Sequence, residues 1–182
     1  MSFNGNQYGI PADKVITTRG DIVRGNSSGE RERYGIGAAN YVLASDGSDP
    51  IWSDPENLKH AVALEIAASD ETTAFSAGAA AVTFRLPWNM TLNAGIEGVI
   101  ASLTTAGTGS VVTVDINEGG VSILSTKITI DATEKTSYTA ATPVVISDTS
   151  LAFNAEMTVD IDGVDSGGVA AGLKIMLIGD LT

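Results

Sequence analysis

Apolar and polar residues alternate with a period of two along most of the chain beyond residue 58. In the clearest segment Val112, Val114 and Ile116 share one face, and the polar residues between them share the other, as expected of a half-buried strand. About eight such segments, separated by glycine-bearing turns, are found at 61–66, 81–86, 95–104, 112–117, 121–130, 143–147, 157–161 and 173–178. Short strands at this spacing without long helices predict an all-β chain. We expect an antiparallel, jelly-roll-like β-sandwich over residues 58–182.

The pattern before this region is different, because glycine and charged residues dominate residues 17–57. Short strands are predicted at Asp21–Gly25, Tyr41–Ala44 and from Ile51, and Asp46-Gly47 is a strong hairpin signal. The apolar side chains of this region are chiefly Ile22, Val23, Tyr34, Ile36, Val42, Leu43, Ile51 and Trp52. A segment below about 40 residues usually needs a metal, disulfides or a partner chain to fold. Since residues 17–53 hold no Cys or His, we predict a small β-rich module that intertwines with other copies.

Residues 1–16 are polar and glycine-bearing, with apolar residues that follow neither a helical nor a strand period. Two interpretations stay open for them: an N-terminal arm that docks on a neighbouring subunit, or a partly disordered tail.

Charge and composition narrow the function classes. Lys and Arg number 10 against 22 Asp and Glu, a formal net charge of −12, which argues against nucleic acid and against an anionic membrane surface. No apolar stretch is long enough to predict a membrane span, and the N-terminus does not read as a signal peptide. The absence of Cys excludes disulfides and thiolate chemistry, and it fits synthesis in a reducing cytoplasm.

No motif in the sequence predicts catalysis or a cofactor. The one histidine, His60, would have to serve any Ser-His-Asp triad, yet no nucleophile elbow accompanies it, and an exposed linker residue is the simpler interpretation. Three carboxylates between Asp160 and Asp165 could attract a hard cation. We expect them instead at a strand end and in a turn. Trp88 or Tyr138 could offer a stacking face to a sugar, although core or interface packing is the simpler role for Trp88.

One stretch carries a more specific signal. It reads TTRGDIVRG, then Glu-Arg, a Gly-Ile-Gly turn, and YVLASDGSDPIW. In order and spacing it resembles a short module of tailed-bacteriophage fibre and virion-surface proteins, over about 35 residues. The matching positions are Thr17, Thr18, Gly20, Asp21, Val42, Leu43, Asp46, Gly47 and Trp52. The segments FRLPWNMTL and AEMTVDID also resemble the compact β domains that follow this module in such proteins.

The resemblance implies a virion structural protein without enzymatic activity, assembled in the host cytoplasm and placed on the outer surface of the particle. We expect a homotrimeric head-decorating (cement or head-fibre) protein that binds the major capsid protein, because no shaft, repeat or coiled-coil heptad is present to span a distance. The alternative is a tail-fibre or adhesin tip that binds a receptor or a host surface glycan. The residues that we expect at assembly contacts are Arg19, Asp21, Arg24, Glu30, Arg31, Glu32, Arg33, Tyr34 and Trp52. For the alternating charges of residues 30–33, a solvated turn and a ring of ion pairs between copies are both open.

Overall fold

A computed structural model describes residues 18–55 and 60–182 of the protein, and the predicted N-terminal arm at 1–16 lies outside them. The fold is all-β, as the alternation predicts, and its strands pair antiparallel throughout the described residues. The chain divides into two compact units, Met1–Leu58 and Lys59–Thr182. The sequence-based boundary between 57 and 58 is one residue away from this division.

Within residues 18–55, the first unit contains two hairpins. Strands β1 (Ile22–Gly25) and β2 (Arg31–Tyr34) form one, and β3 (Val42–Ser45) and β4 (Pro50–Ser53) form the other. The predicted strands agree with β1, β3 and β4 to within one residue. The solvated turn considered for residues 30–33 is wrong, because Arg31–Tyr34 pairs with β1 along its whole length. The alternation of charge there is the period-two alternation of a strand.

The second unit contains twelve strands, and several of them are fragments of longer ones. They are β5 (Ala61–Ala67), β6 (Gly78–Arg85), β7 (Met90–Leu92), β8 (Val99–Ser102), β9 (Val112–Glu118), β10 (Val121–Ser122), β11 (Leu124–Thr126), β12 (Ile128–Ile130), β13 (Val145–Ile146), β14 (Ser150–Leu151), β15 (Glu156–Gly163) and β16 (Lys174–Leu181). Two 3-10 helices, Gly95–Glu97 and Ser137–Thr139, interrupt the connections. The predicted strand at 95–104 therefore begins later, at Val99. The predicted strand at 121–130 is broken into three.

Two five-stranded sheets enclose one hydrophobic core. One sheet has the order β14-β7-β16-β5, with β8 continuing beside β16; the other has the order β10-β9-β15-β6, with β12 continuing beside β9. Alternate residues of the central strands point inward and are fully buried, as with Val114 and Ile116 of β9 and Ile175 and Leu177 of β16. This is a β-sandwich, in which both inner faces supply the core.

The strand order indicates the topology. When β7 and β8 are taken as one strand, and β10 to β12 as another, each sheet has four strands. β5, β7 and β14 pair within one sheet together with the last strand, β16, while β6 and β9 flank β15 in the other. Most chain-sequential strands alternate between the two sheets, while β9 and β10 are neighbours in the same sheet. The order is that of a β-sandwich, and the jelly-roll arrangement stays a prediction. The described ranges hold no helix with the length and hydropathy needed to cross a membrane.

Candidate assembly site

The first unit is held together around one buried carboxylate. Gly20, at φ +92°, makes a turn directly before Asp21. The side chain of Asp21 is 0% exposed. Arg33 binds this carboxylate in a bidentate manner: its Nε donates to Oδ2 over 2.5 Å and its Nη2 donates to Oδ1 over 3.2 Å. The backbone N–H groups of Thr18 and Ile36 donate to the same two oxygens at 2.8 and 3.2 Å. Such bidentate, charge-assisted bonds fix geometry as well as energy.

A second ion pair lies on the opposite face of the β1–β2 hairpin. Arg24 and Glu32 face each other in the register, and Nε of Arg24 donates to Oε1 of Glu32 over 2.6 Å. This bond is the main cause of a raised pKa for Arg24. The guanidinium also lies 4.4 Å from the ring centroid of Tyr34, a cation–π distance. Its Nη1 donates to the carbonyl of Pro50 over 3.4 Å, which ties the two hairpins together.

Stacked aromatic rings make the main apolar contact between the hairpins. The rings of Tyr34 and Trp52 are 6.3 Å apart and 5° from parallel. The backbone N–H of Trp52 donates to the Tyr34 hydroxyl over 3.1 Å, and its indole Nε1 donates to the carbonyl of Gly35 over 2.6 Å. A Cβ at Gly37 would lie 2.6 Å from Cγ of Trp52, so only glycine permits this approach.

Side chains that accept backbone hydrogen bonds close both hairpin turns. Oδ1 of Asn26 accepts from the N–H groups of Ser28 and Glu30, each at 2.9 Å. Oδ1 of Asp46 accepts from those of Ser48 and Asp49, each at 2.8 Å. The Asp49 and Ser48 bonds lower the pKa of Asp46. Gly47 at φ +96° confirms the hairpin that Asp46-Gly47 predicts.

The described part of the unit has almost no apolar interior. Among residues 18–55 Asp21 alone is buried, and it is an acid. Large apolar side chains remain open to solvent, with Ile36 at 57% and Leu43 at 51% exposed. The exposed set, which we call the module's apolar surface, is Val23, Ile36, Tyr41, Val42 and Leu43. Polar bonds and one aromatic stack fold this unit, and most of its apolar residues remain free to make other contacts.

The structure brings together some of the predicted assembly residues and separates others. Six of the nine form the intrachain network described above: Asp21, Arg24, Glu32, Arg33, Tyr34 and Trp52. Glu32 pairs with Arg24, and Arg33 pairs with Asp21, within the same chain. The ring of ion pairs between copies stays a prediction. Arg19, Glu30 and Arg31 are exposed. Reasoning from sequence missed the strand β2, and with it the pairing of Asp21 with Arg33; a period-two alternation opposite β1 is the signal that could have shown it.

Asp160 and Asp165, considered above as cation ligands, accept hydrogen bonds from groups of the sandwich itself. Asp160 was expected at a solvent-facing strand end, but it lies within β15, where its carboxylate accepts from the N–H of Ala80 at 2.7 Å and from Nδ2 of Asn117 at 3.0 Å. Asp165 lies in a turn, as expected, since its carbonyl accepts from the N–H of Gly168, and its side chain is buried. Its Oδ1 accepts from the N–H groups of three successive residues, 108–110. No group of three potential metal-ligating side chains occurs within residues 18–55 and 60–182.

The remaining candidates divide by exposure. His60 is exposed, as predicted, and its carbonyl accepts from the N–H of Leu181. Trp88 is half-buried and packs against the sandwich core, as the simpler interpretation had it, so its ring is not an open stacking face. Tyr138, on the 3-10 helix Ser137–Thr139, is 61% exposed.

Comparison with known proteins adds no family to this description. No protein-family model matches the chain, and no curated protein sequence matches it significantly.

Proposed function

We propose that this protein is a bacteriophage virion structural protein, a homotrimer that decorates the outer surface of the head and binds the major capsid protein. The role is one of assembly and not of catalysis. The observation that carries the proposal is the make-up of residues 18–55, which are folded by polar bonds while Val23, Ile36, Tyr41, Val42 and Leu43 stay exposed. These exposed apolar side chains lie in the stretch that resembles a phage virion module, and their burial against a partner chain would be favourable.

The energetics of the small unit support a partner chain. Two-stranded hairpins are marginally stable in water without further packing, and these two make their main contact through one aromatic stack. Burying the module's apolar surface against other copies would add the missing apolar contact at about 25 cal/mol per Å². The polar network of Asp21, Arg24, Glu32 and Arg33 gives each copy a defined shape to present.

The sandwich suits a decorating role by its construction. Its core is one cluster of buried residues, and it is a compact body of 124 residues, from Lys59 to Thr182, that follows the module in the sequence. A protein that bridges neighbouring shell subunits stabilises the shell by binding its assembled form. The net charge of −12 favours a basic surface on the capsid as the partner.

The test compares particles with and without the protein. We expect particles that lack it to lose heat resistance while adsorbing to hosts normally, and labelled antibody to bind heads. In solution we expect a species of three times the 18.6 kDa chain mass. Label on tails, or normal heat resistance with failed adsorption, would refute the head-decorating role. A monomer both in solution and on the particle would refute the trimer.

The second candidate is an adhesin tip that binds a host surface glycan, and the exposed Tyr138 is the observation that favours it. Aromatic faces with nearby polar groups suit sugar stacking, and Glu134 lies close, since its carboxylate accepts from the hydroxyl of Thr139. We expect Tyr138→Ala to abolish binding to host polysaccharide if this candidate is right. Unchanged adsorption by Tyr138→Ala particles would remove it.

A further inference from the structure

The β-sandwich is closed along one side and open along the other. On the closed side β11 pairs with β13, and the residues beside this pair, Ile123, Leu124 and Val144, are buried. On the open side run β5 and β6, each the last strand of its sheet, and no described residue pairs with their outer edges. Their directions are opposite, because β5 ends and β6 begins near the loop that contains residues 170–173.

Most inward-facing side chains of β5 and β6 remain only half-buried, and Ile66 is the one that is buried. The half-buried side chains belong to the hydrophobic core but keep solvent contact, whereas their counterparts on β9 and β16 are fully buried. The set, which we call the seam, is Val62, Leu64, Phe75, Val82 and Phe84. The sandwich thus has a continuous apolar strip between two edge strands, although such edges are normally covered or blunted.

The two edge strands differ in how readily each could pair with a strand of another chain. β6 carries a bulge, where the register with β15 shifts between Val159 and Ile161, and it ends at Arg85, which is paired with Glu156. β5 keeps an unbroken register with β16 over its seven residues and contains neither proline nor lysine. A contact at the seam is therefore made by the apolar side chains, by the β5 edge and by the regular part of β6, from Val82 to Arg85.

Charge identifies what can cover the seam. The chain carries −12 overall, yet β5 and β6 together hold one acid, Glu65, and one base, Arg85. A basic partner would have almost no carboxylate to pair with at the seam, so its charge would not favour this site. An anionic partner would be repelled by the acidic surface around the seam. A second copy of the chain is repelled by the acidic surface everywhere except at such a neutral, apolar strip.

We propose that the seam is the contact between sandwiches of neighbouring copies. This rests on the proposed homotrimer, whose modules would hold the sandwiches at high effective concentration. Around a threefold axis the copies run parallel, so β5 of one copy lies beside β6 of the next, antiparallel to it. Burial of Val62, Leu64, Val82 and Phe84 then completes three cores at once.

The test uses the full chain and the double substitution Val62→Thr/Val82→Thr, which keeps side-chain shape. Val145→Thr is the matched control, since Val145 lies on β13 at the closed side and is 48% exposed. We expect sedimentation to show association weakened at least about tenfold in the double variant, by loss of interfacial apolar contact, and unchanged in the control. Unchanged near-ultraviolet circular dichroism at high concentration shows that each variant is folded.

Hydrogen exchange separates the outcomes. In the wild-type trimer we expect protection of the β5 amides that do not bond to β16, and its loss in the double variant. The seam contact would be overturned if these amides exchanged freely in the wild-type trimer and if the double variant associated as strongly as the control. The trimeric module would then remain supported. A wild-type monomer would overturn the trimer together with the seam contact. Loss of this protection in Tyr8→Ser/Ile10→Ser with the trimer preserved would mean that the N-terminal arm covers the seam, and would also overturn the proposal.

Discussion

Asp21→Asn tests whether one buried carboxylate organises the module. Each oxygen of Asp21 accepts from two donors: Oδ2 from the Thr18 N–H and Arg33 Nε, and Oδ1 from the Ile36 N–H and Arg33 Nη2. An asparagine keeps the shape but replaces one oxygen by an amide nitrogen. Whichever way it is oriented, this nitrogen faces one backbone N–H and one arginine N–H. No rotamer can satisfy all four donors.

The cost follows from the lost bonds. An unsatisfied buried N–H costs about 1–3 kcal/mol, and a hydrogen bond to a charged group contributes about 1.5–3 kcal/mol. Because Arg33 is 45% exposed, water satisfies its freed N–H and only a fraction of the second term is lost. We expect the module to lose about 2–4 kcal/mol of unfolding free energy.

The assay follows the single tryptophan of the module. In a Trp88→Phe background Trp52 is the only one left of the two, so its fluorescence during urea unfolding reports on this unit. Protein concentration is held fixed, because association adds to apparent stability. Asp49→Asn is the matched control: Asp49 lies 3.9 Å from Arg24 and is 60% exposed, so it should cost under about 0.5 kcal/mol. Equal losses in the two variants, or a loss below about 0.5 kcal/mol for Asp21→Asn, would show that the Asp21 carboxylate does not organise the module.

Three further substitutions probe other parts of the chain. Gly37→Ala places a Cβ 2.6 Å from the Trp52 ring and should cost the module about 1–3 kcal/mol in the same urea assay. Asp165→Asn should make the melting temperature fall less steeply as the pH is lowered. Hydrogen bonds, the strongest from the Gly109 N–H, lower the pKa of the Asp165 carboxyl. Its stabilising contribution is therefore present above the ordinary Asp range near about pH 4 and is lost as the pH falls further. Ala80→Gly should raise the melting temperature, because Ala80 has φ +50°, which costs an L-residue about 1 kcal/mol.

Matched changes check these expectations. Gly25→Ala meets no atom within 4 Å, so a loss equal to that of Gly37→Ala would show that the ring contact is not the cause. Ala79→Gly removes a side chain beside the bulge without relieving a positive φ, and a gain there would contradict the strain explanation for Ala80→Gly. For Asp165→Asn, an acid limb as steep as that of the wild type would show that this carboxylate is not responsible for it.

The all-β class and most strand positions were predictable from local patterns in the sequence. Period-two alternation is a local property, since successive side chains of a strand point to opposite faces. It marked Val112 to Ile116 as a half-buried strand, and Asp46-Gly47 as a hairpin, because turn geometry depends on a few adjacent residues. The shortage of apolar residues in the module was also evident, because residue types can be counted without knowing the fold.

The partner of each polar residue, in contrast, was not predictable from local patterns, because it follows from the three-dimensional arrangement of the strands. Asp21 and Arg33 are twelve residues apart, and they pair because β1 and β2 fold back on each other, whereas the sequence left residues 30–33 open between a turn and a contact between copies. Asp165 accepts hydrogen bonds from the N–H groups of residues 108–110, which lie in a loop more than fifty positions earlier in the chain. Such pairings, like the half-buried seam between β5 and β6, depend on which strands lie side by side. Local periodicity shows that a face is apolar, and only the packing of the sheets shows whether that face is covered.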